Sequence, residues 1–137
     1  MAEFREDVAS WILAMPAAAA LGFSFEELGG GRSVTRLRWR PEHSHAPGAF
    51  QASAIGALAD FTGAGAAITL LPSGASAATM DYTVKFLVEA RGKELVARGR
   101  VLRAGRTVTV AAVDIEVVGD GGPALCAAAL VSTRAVP

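Results

Sequence analysis

The sequence predicts a single α+β domain in which an antiparallel sheet encloses one central helix. Residues 51–71 form an apolar stretch with no proline inside it, too long for a strand and comfortable for a helix. Apolar side chains (Ala54, Ile55, Leu58, Phe61, Ala66, Ile68, Leu71) lie on every side of that helix, so it either spans a membrane or is wrapped by protein. Segments of alternating polarity, two before it and four after it, are divided by glycine-containing turns. Six antiparallel strands curled around one helix bury every face.

Composition narrows the class. The chain has 137 residues, which suits one domain spanning 1–137, and 52% of them are hydrophobic. Mean hydropathy is +0.38, a surplus of apolar surface that subunit association would cover. Thirteen basic residues balance thirteen acidic ones, which argues against a nucleic-acid partner. The single cysteine, Cys126, rules out an intramolecular disulfide, suits a reducing cytoplasm and lies in an apolar run, as a small core residue would. The first residues lack a basic segment followed by an apolar one, so no secretory signal is read and a cytoplasmic location is expected. A membrane span over 51–71 is disfavoured by Gly56, Gly63, Gly65 and Asp60 within it, and no membrane partner is expected.

In chain order, residues 3–15 read as a short amphipathic helix carrying Phe4, Val8, Trp11, Ile12 and Met15, with Pro16 as its stop. An alternating strand from Leu21 to Phe25 runs to the turn at Gly29, Gly30 and Gly31. Residues 32–40 alternate strictly, with Val34, Arg36, Arg38 and Arg40 opposite Thr35, Leu37 and Trp39. Its arginine face reads as a solvated outer surface or as a grip for phosphates. Residues 41–50 form a loop holding His43 and His45; their spacing with Glu42 matches no metal site, and no metal is expected. After the central helix, strands are expected over 79–89, 93–102, 107–118 and 124–134, as a meander. The first puts Met80, Tyr82, Val84, Phe86 and Val88 on one face and Asp81, Thr83 and Lys85 on the other.

Asp60 is the functional clue. It is the one charge in the helix, and no Lys or Arg stands three or four residues away on either side. A buried carboxylate without a partner costs several kcal/mol. Three readings are open: an ion pair with a strand arginine, the cap of a second helix starting at Phe61, or a catalytic or binding role.

The order of elements resembles the hot-dog fold, a sheet wrapped around a central helix, and the motifs resemble those of the PaaI-like acyl-CoA thioesterases of the 4-hydroxybenzoyl-CoA thioesterase superfamily. Met15-Pro16 with Leu21-Gly22-Phe23 is similar to the family's entry to its first strand. His45 to Asp60 is similar to the pattern N-x-x-G-x-x-H-G-G-x-x-x-x-L-x-D, with Gly48, Leu58 and Asp60 in register. Thr79 to Leu87 is similar to its T-x-D-x-x-x-x-Y/F-L strand, and Gly105-Arg106 to its hairpin. The chain departs from the family where His-Gly-Gly is replaced by Gln51-Ala52-Ser53, where the upstream Asn is His45, and where a common proline is Glu89.

The resemblance implies hydrolysis of an acyl-CoA to free acid and CoA, without metal or redox cofactor. Asp60 would polarise a water or attack directly, and the backbone N–H of Ala52 would hold the oxyanion at the helix start. Gln51 would position the thioester oxygen or, alternatively, satisfy the loop backbone. His45 would orient the carbonyl or a water, or else stand in solvent. Thr79 would help place the water, or be an ordinary strand residue. Gly48, Phe50, Phe61 and Tyr82 are candidates to line the acyl pocket, for an aryl or a medium-chain group. Arg98, Arg100, Arg103 and Arg106 are candidates for the CoA phosphates. Gln51 and Asp60 are nine residues apart, about 13 Å along a helix. If both act, they must meet from two subunits, as in the family's dimers, which are expected to pair further into tetramers. Two other functions fit the altered segment: a hot-dog protein that binds acyl-CoA or an acyl carrier without hydrolysis, and a hot-dog hydratase or dehydratase.

Overall fold

Pro16 begins a helix rather than ending one. Proline suits the first turn of a helix, where its missing N–H has no partner to lose. In the structure, a computed structural model that describes residues 2–136, α1 (Glu6–Leu13) is followed directly by α2 (Pro16–Leu21). Helix α2 ends at Gly22, whose φ of +83° is the left-handed conformation that glycine adopts without strain. The strand expected from Leu21 therefore starts later, as β1 (Ser24–Gly29). Met1 and Pro137, the ends of the expected domain, lie outside the described residues.

Strand β2 (Arg32–Arg38) pairs with β1, and a single 3-10 turn, Pro41–His43, interrupts the loop leading to α3 (Ala52–Ile68). Then come β3 (Ser76–Phe86), β4 (Glu94–Ala104), β5 (Val108–Gly119) and β6 (Gly122–Val136). All pairings are antiparallel, in the order β1-β2-β4-β5-β6-β3. The expected four-strand meander is thus corrected. Only β4, β5 and β6 meander, β4 joins β2, and β3 crosses to the far edge beside β6.

This is the hot-dog arrangement. Leu58, Ala59 and Ala66 of α3 are fully buried against a sheet face that includes Leu95, Ala97, Val113, Ile115 and Val131. The glycines of α3 allow the close approach. A Cβ on Gly63 would stand 2.6 Å from Val131 Cγ2, closer than carbon atoms tolerate. Buried Thr62 turns its hydroxyl to Leu58 O and to Thr35 on β2, so the polar atom in this core has partners. Cys126 is buried, as expected, and burial pushes its thiol up to about 11. Among the described residues no helix is long and apolar enough to cross a membrane.

The two sheet edges differ in chemistry. Edge strand β1 carries Glu26 and Glu27 and a register break between Phe25 and Glu27, which discourage further pairing. Edge strand β3 and the segment after it expose Met80, Tyr82, Phe86, Leu87 and Val88, each near half of its surface. One of its residues is out of step. Thr79 pairs with Thr133 and Asp81 with Ser132, so Met80 is an extra residue. Strict alternation over 79–89 is therefore corrected: the Thr79 and Tyr82 side chains share the helix-facing side, and Met80 leaves it.

Candidate active site

Asp60 lies in the middle of α3, half-buried, facing β3. Neither structural reading of it holds. No Lys or Arg pairs with it among the described residues, and α3 runs past it unbroken to Ile68, so it caps nothing. Its hydrogen-bond partner is Thr79, whose hydroxyl donates to Asp60 Oδ1 at 2.7 Å. Burial pushes the Asp60 carboxyl above the usual carboxylate range, and the Thr79 bond offsets part of that shift. A carboxylate with a raised pKa is, when ionised, a stronger base than a free one.

The start of α3 is the second part. Gln51 is its N-cap, with extended φ and ψ of −78° and 147°, and its side-chain carbonyl accepts the Ser53 N–H at 2.6 Å and also the Ser53 hydroxyl. The loop holds this cap in place, because Gln51 N–H donates to His43 O at 2.8 Å. Gly48, at φ +73°, makes the turn before it and accepts Gly92 N–H at 3.0 Å. Ala52 is the first helical residue, and its N–H has no partner among the described residues. No residue other than glycine has positive φ among them, so alanine at this position is unstrained.

An open groove of about 370 Å³ adjoins this helix start, lined by His45, Phe50, Ala52, Ile55, Phe86 and the segment Leu87–Ala90. His45 Nε2 lies 3.6 Å from Glu89 Oε2 at its rim, and Arg91 binds the other oxygen of Glu89. Tyr82 sits between the two halves of the site, 3.8 Å from where a Cβ of Gly56 would be, half-way from Ala52 to Asp60. Asp60 is not part of the groove; eight residues along a helix separate it from Ala52, about 12 Å.

The expected site residues do not all meet. Asp60 and Thr79 are in contact, and Gln51, Ala52, His45, Phe50 and Gly48 gather around the helix start. Phe61 instead stacks on Phe23, with ring centroids 5.1 Å apart, on the border of the core. Arg103 and Arg106 are exposed on the β4–β5 hairpin, toward the far end of α3, since the neighbouring Val101 N–H bonds Gly31 O near Leu70. Arg98 and Arg100 face Glu116 and Asp114 on the outer side of the sheet. Sequence reasoning missed Ser53, which lay within the altered His-Gly-Gly segment but carried no signal beyond its hydroxyl.

The sheet-wrapped helix agrees with the family comparison. The model of the thioesterase superfamily matches residues 52–124, from the first residue of α3 into β6. The chain belongs to the thioesterase superfamily. No curated protein matches it. Among solved structures, a thioesterase family protein from Silicibacter pomeroyi is 25% identical, with 96% of each chain covered and a TM-score of 0.90. A thioesterase from Haemophilus influenzae is 19% identical over 98% of this chain and 92% of its own, with a TM-score of 0.83. A phenylacetic acid degradation-related protein from Ralstonia eutropha JMP134 is 24% identical, covering 93% and 98%, with a TM-score of 0.77. The last two speak to the fold alone. Family membership makes this thioesterase a thioester hydrolase.

Proposed function

We propose that the chain hydrolyses acyl-CoA thioesters at sites shared between two copies, with Asp60 of one copy facing the helix start of the other. The observation that carries this is Asp60 itself, a half-buried carboxylate bonded by Thr79 and unpaired with any cation among the described residues. Asp60 removes a proton from water, or attacks the carbonyl carbon itself. The Ala52 N–H stabilises the negative oxygen, helped by the partial positive charge of the helix terminus. Gln51 adds its side-chain amide, Thr79 orients the carboxylate, and His45 stands at the groove rim. The acyl group, aryl or medium-chain, packs against Phe50 and Tyr82.

The shared arrangement has a structural argument. Strand β3 is an apolar, unpaired edge, and the natural cover for such an edge is a second copy. Thr79 marks the level of Asp60 on β3, and Phe86 marks the level of Ala52. Antiparallel pairing of two β3 strands about a two-fold axis through Thr83 sets Asp81 opposite Lys85 and, with Met80 skipped as it is against β6, Thr79 opposite Phe86. That register sets each Asp60 against the other copy's Ala52. The whole chain acts as one domain, dimers pair further into tetramers, and Arg103 and Arg106 reach the CoA phosphates from the partner copy.

CoA release from a panel of aryl- and medium-chain acyl-CoAs, followed with a thiol reagent, tests the reading. Wild type should release CoA, and Asp60→Asn should be slower by two or more orders of magnitude, on the scale of losing a catalytic base. Equal release by the two proteins would remove Asp60 from the chemistry. Binding of acyl-CoA without release by wild type would make the chain a binding protein.

A further inference from the structure

We propose that Ser53 is a positioning residue for thioester hydrolysis: it fixes the Gln51 side-chain amide with its nitrogen outward, as a committed hydrogen-bond donor beside Ala52. This rests on the reading of the helix start as the oxyanion site. A backbone N–H can only donate, so the Gln51 atom 2.6 Å from Ser53 N must be the carbonyl oxygen. The usual ambiguity of amide orientation is thereby removed. The Ser53 hydroxyl reaches the same oxygen and occupies its second lone pair.

The amide nitrogen is bonded to the same carbon and lies about 2.2 Å from that oxygen by covalent geometry. Its protons have no acceptor among the described residues. Held this way, Gln51 offers two N–H groups to an incoming oxygen and no free acceptor. It can hold a thioester oxygen as charge develops, and it cannot take a proton from water. This also accounts for two of the departures from the His-Gly-Gly pattern together. The Ser53 N–H selects the oxygen end of the amide, and the hydroxyl at position 53, which glycine lacks, adds the second bond that locks it there.

The test is steady-state kinetics of Ser53→Ala, Ser53→Thr, Gln51→Ala and the Ser53→Ala/Gln51→Ala double variant, with Asp60→Asn as control. Gln51→Ala should lower kcat about a hundredfold, as removal of an oxyanion donor does. Ser53→Ala should lower kcat about tenfold, with KM within about twofold, and Ser53→Thr, which keeps the hydroxyl, should stay within about threefold of wild type. Added to Gln51→Ala, Ser53→Ala should cause no further loss. An undiminished kcat in Ser53→Ala, or the same loss in both backgrounds, overturns the proposal while leaving the thioesterase reading intact if Asp60→Asn is inactive. Retained turnover in Asp60→Asn strikes the thioesterase reading instead.

A measurement independent of turnover uses the ¹⁵N resonances of the Gln51 side-chain amide, identified by their disappearance in Gln51→Ala. They should lie away from free-glutamine positions in wild type and move toward them in Ser53→Ala. Wild-type resonances already at free positions would overturn the proposal whatever the substrate.

Discussion

The Thr79 hydroxyl donates to Asp60 Oδ1 at 2.7 Å, and the extra residue Met80 turns it there. In a regular strand Thr79 would share a face with Asp81, directed away from the helix. The bulge restores Thr79 to the helix-facing side while Tyr82 keeps its place there. A defect in strand pairing thus aims a hydroxyl at the buried carboxylate, a common use of bulges beside active sites.

Removing that hydroxyl should shift the pH dependence of the reaction. Burial raises the Asp60 pKa above 3.8 and the Thr79 bond lowers it, so Thr79→Val leaves it higher still. The base works when ionised, so kcat/KM falls as pH drops through this pKa, and the falling limb should move to higher pH in Thr79→Val. Near neutral pH, loss of a hydrogen bond to a charged group should slow turnover about tenfold to a hundredfold. Profiles of kcat/KM against pH for both proteins check this; superimposed profiles would separate Thr79 from the chemistry.

Asp60 should also cost the fold stability. Its folded pKa is raised, so the folded state holds a proton more tightly than the unfolded chain does. The favourable contribution is present below about 3.8 and is lost as pH rises through the folded value. Asp60→Asn should therefore melt higher than wild type at pH 7.5, with the gap closing in acid. A variant that melts lower at neutral pH would mean that the ionised carboxylate stabilises the fold.

His43 sets an opposite trend. It is buried, and Arg40 donates to its Nε2 at 3.1–3.2 Å while also holding the C-terminal carbonyls Ala20 O and Leu21 O of α2. Burial first, then the Arg40 charge, lower its pKa below 6.5, while a hydrogen bond with the Leu21 backbone and then neighbouring Glu42 act against them. Its neutral form contributes stability above about 6.5, and that contribution is lost as pH falls. Wild type should lose melting temperature between pH 7.5 and 5.5, and His43→Gln, which cannot titrate, should lose less. Equal losses would place the acid sensitivity elsewhere.

The helix start can be tested without altering a side chain that touches anything else. Proline suits the first helical position, and Gln51 already has the extended φ and ψ that a residue before proline requires. Ala52→Pro should fold with the wild-type circular dichroism spectrum and lose about 10²–10³ in kcat, because one backbone donor is gone. Wild-type kcat in that variant would exclude the Ala52 N–H from the chemistry.

The sequence carried the fold through Asp60 and its surroundings, because a helix that is apolar on every side leaves few architectures open. It misread Pro16, since proline ends one helix and begins another with the same chemistry, and context alone separates the two. The crossing of β3 to the edge was illegible because pairing order depends on contacts far apart in sequence, which alternation does not encode. The bulge at Met80 was hidden for a related reason: Thr79, Met80 and Asp81 satisfy strict alternation as a string, and the extra residue shows only against β6. Gln51 and Ala52 were legible as a helix start, whereas the grip of Ser53 on Gln51 needed side-chain geometry.

Mixing two inactive variants tests whether the site is divided between two copies. Ala52→Pro keeps Asp60, and Asp60→Asn keeps the Ala52 N–H. After dissociation and reassociation together, random pairing makes half of the dimers mixed, each with one site built from two intact halves, so roughly a quarter of wild-type CoA release should return. No recovery from mixed dimers whose formation is confirmed by differential tagging would contradict the shared site and place Asp60 and Ala52 in separate events.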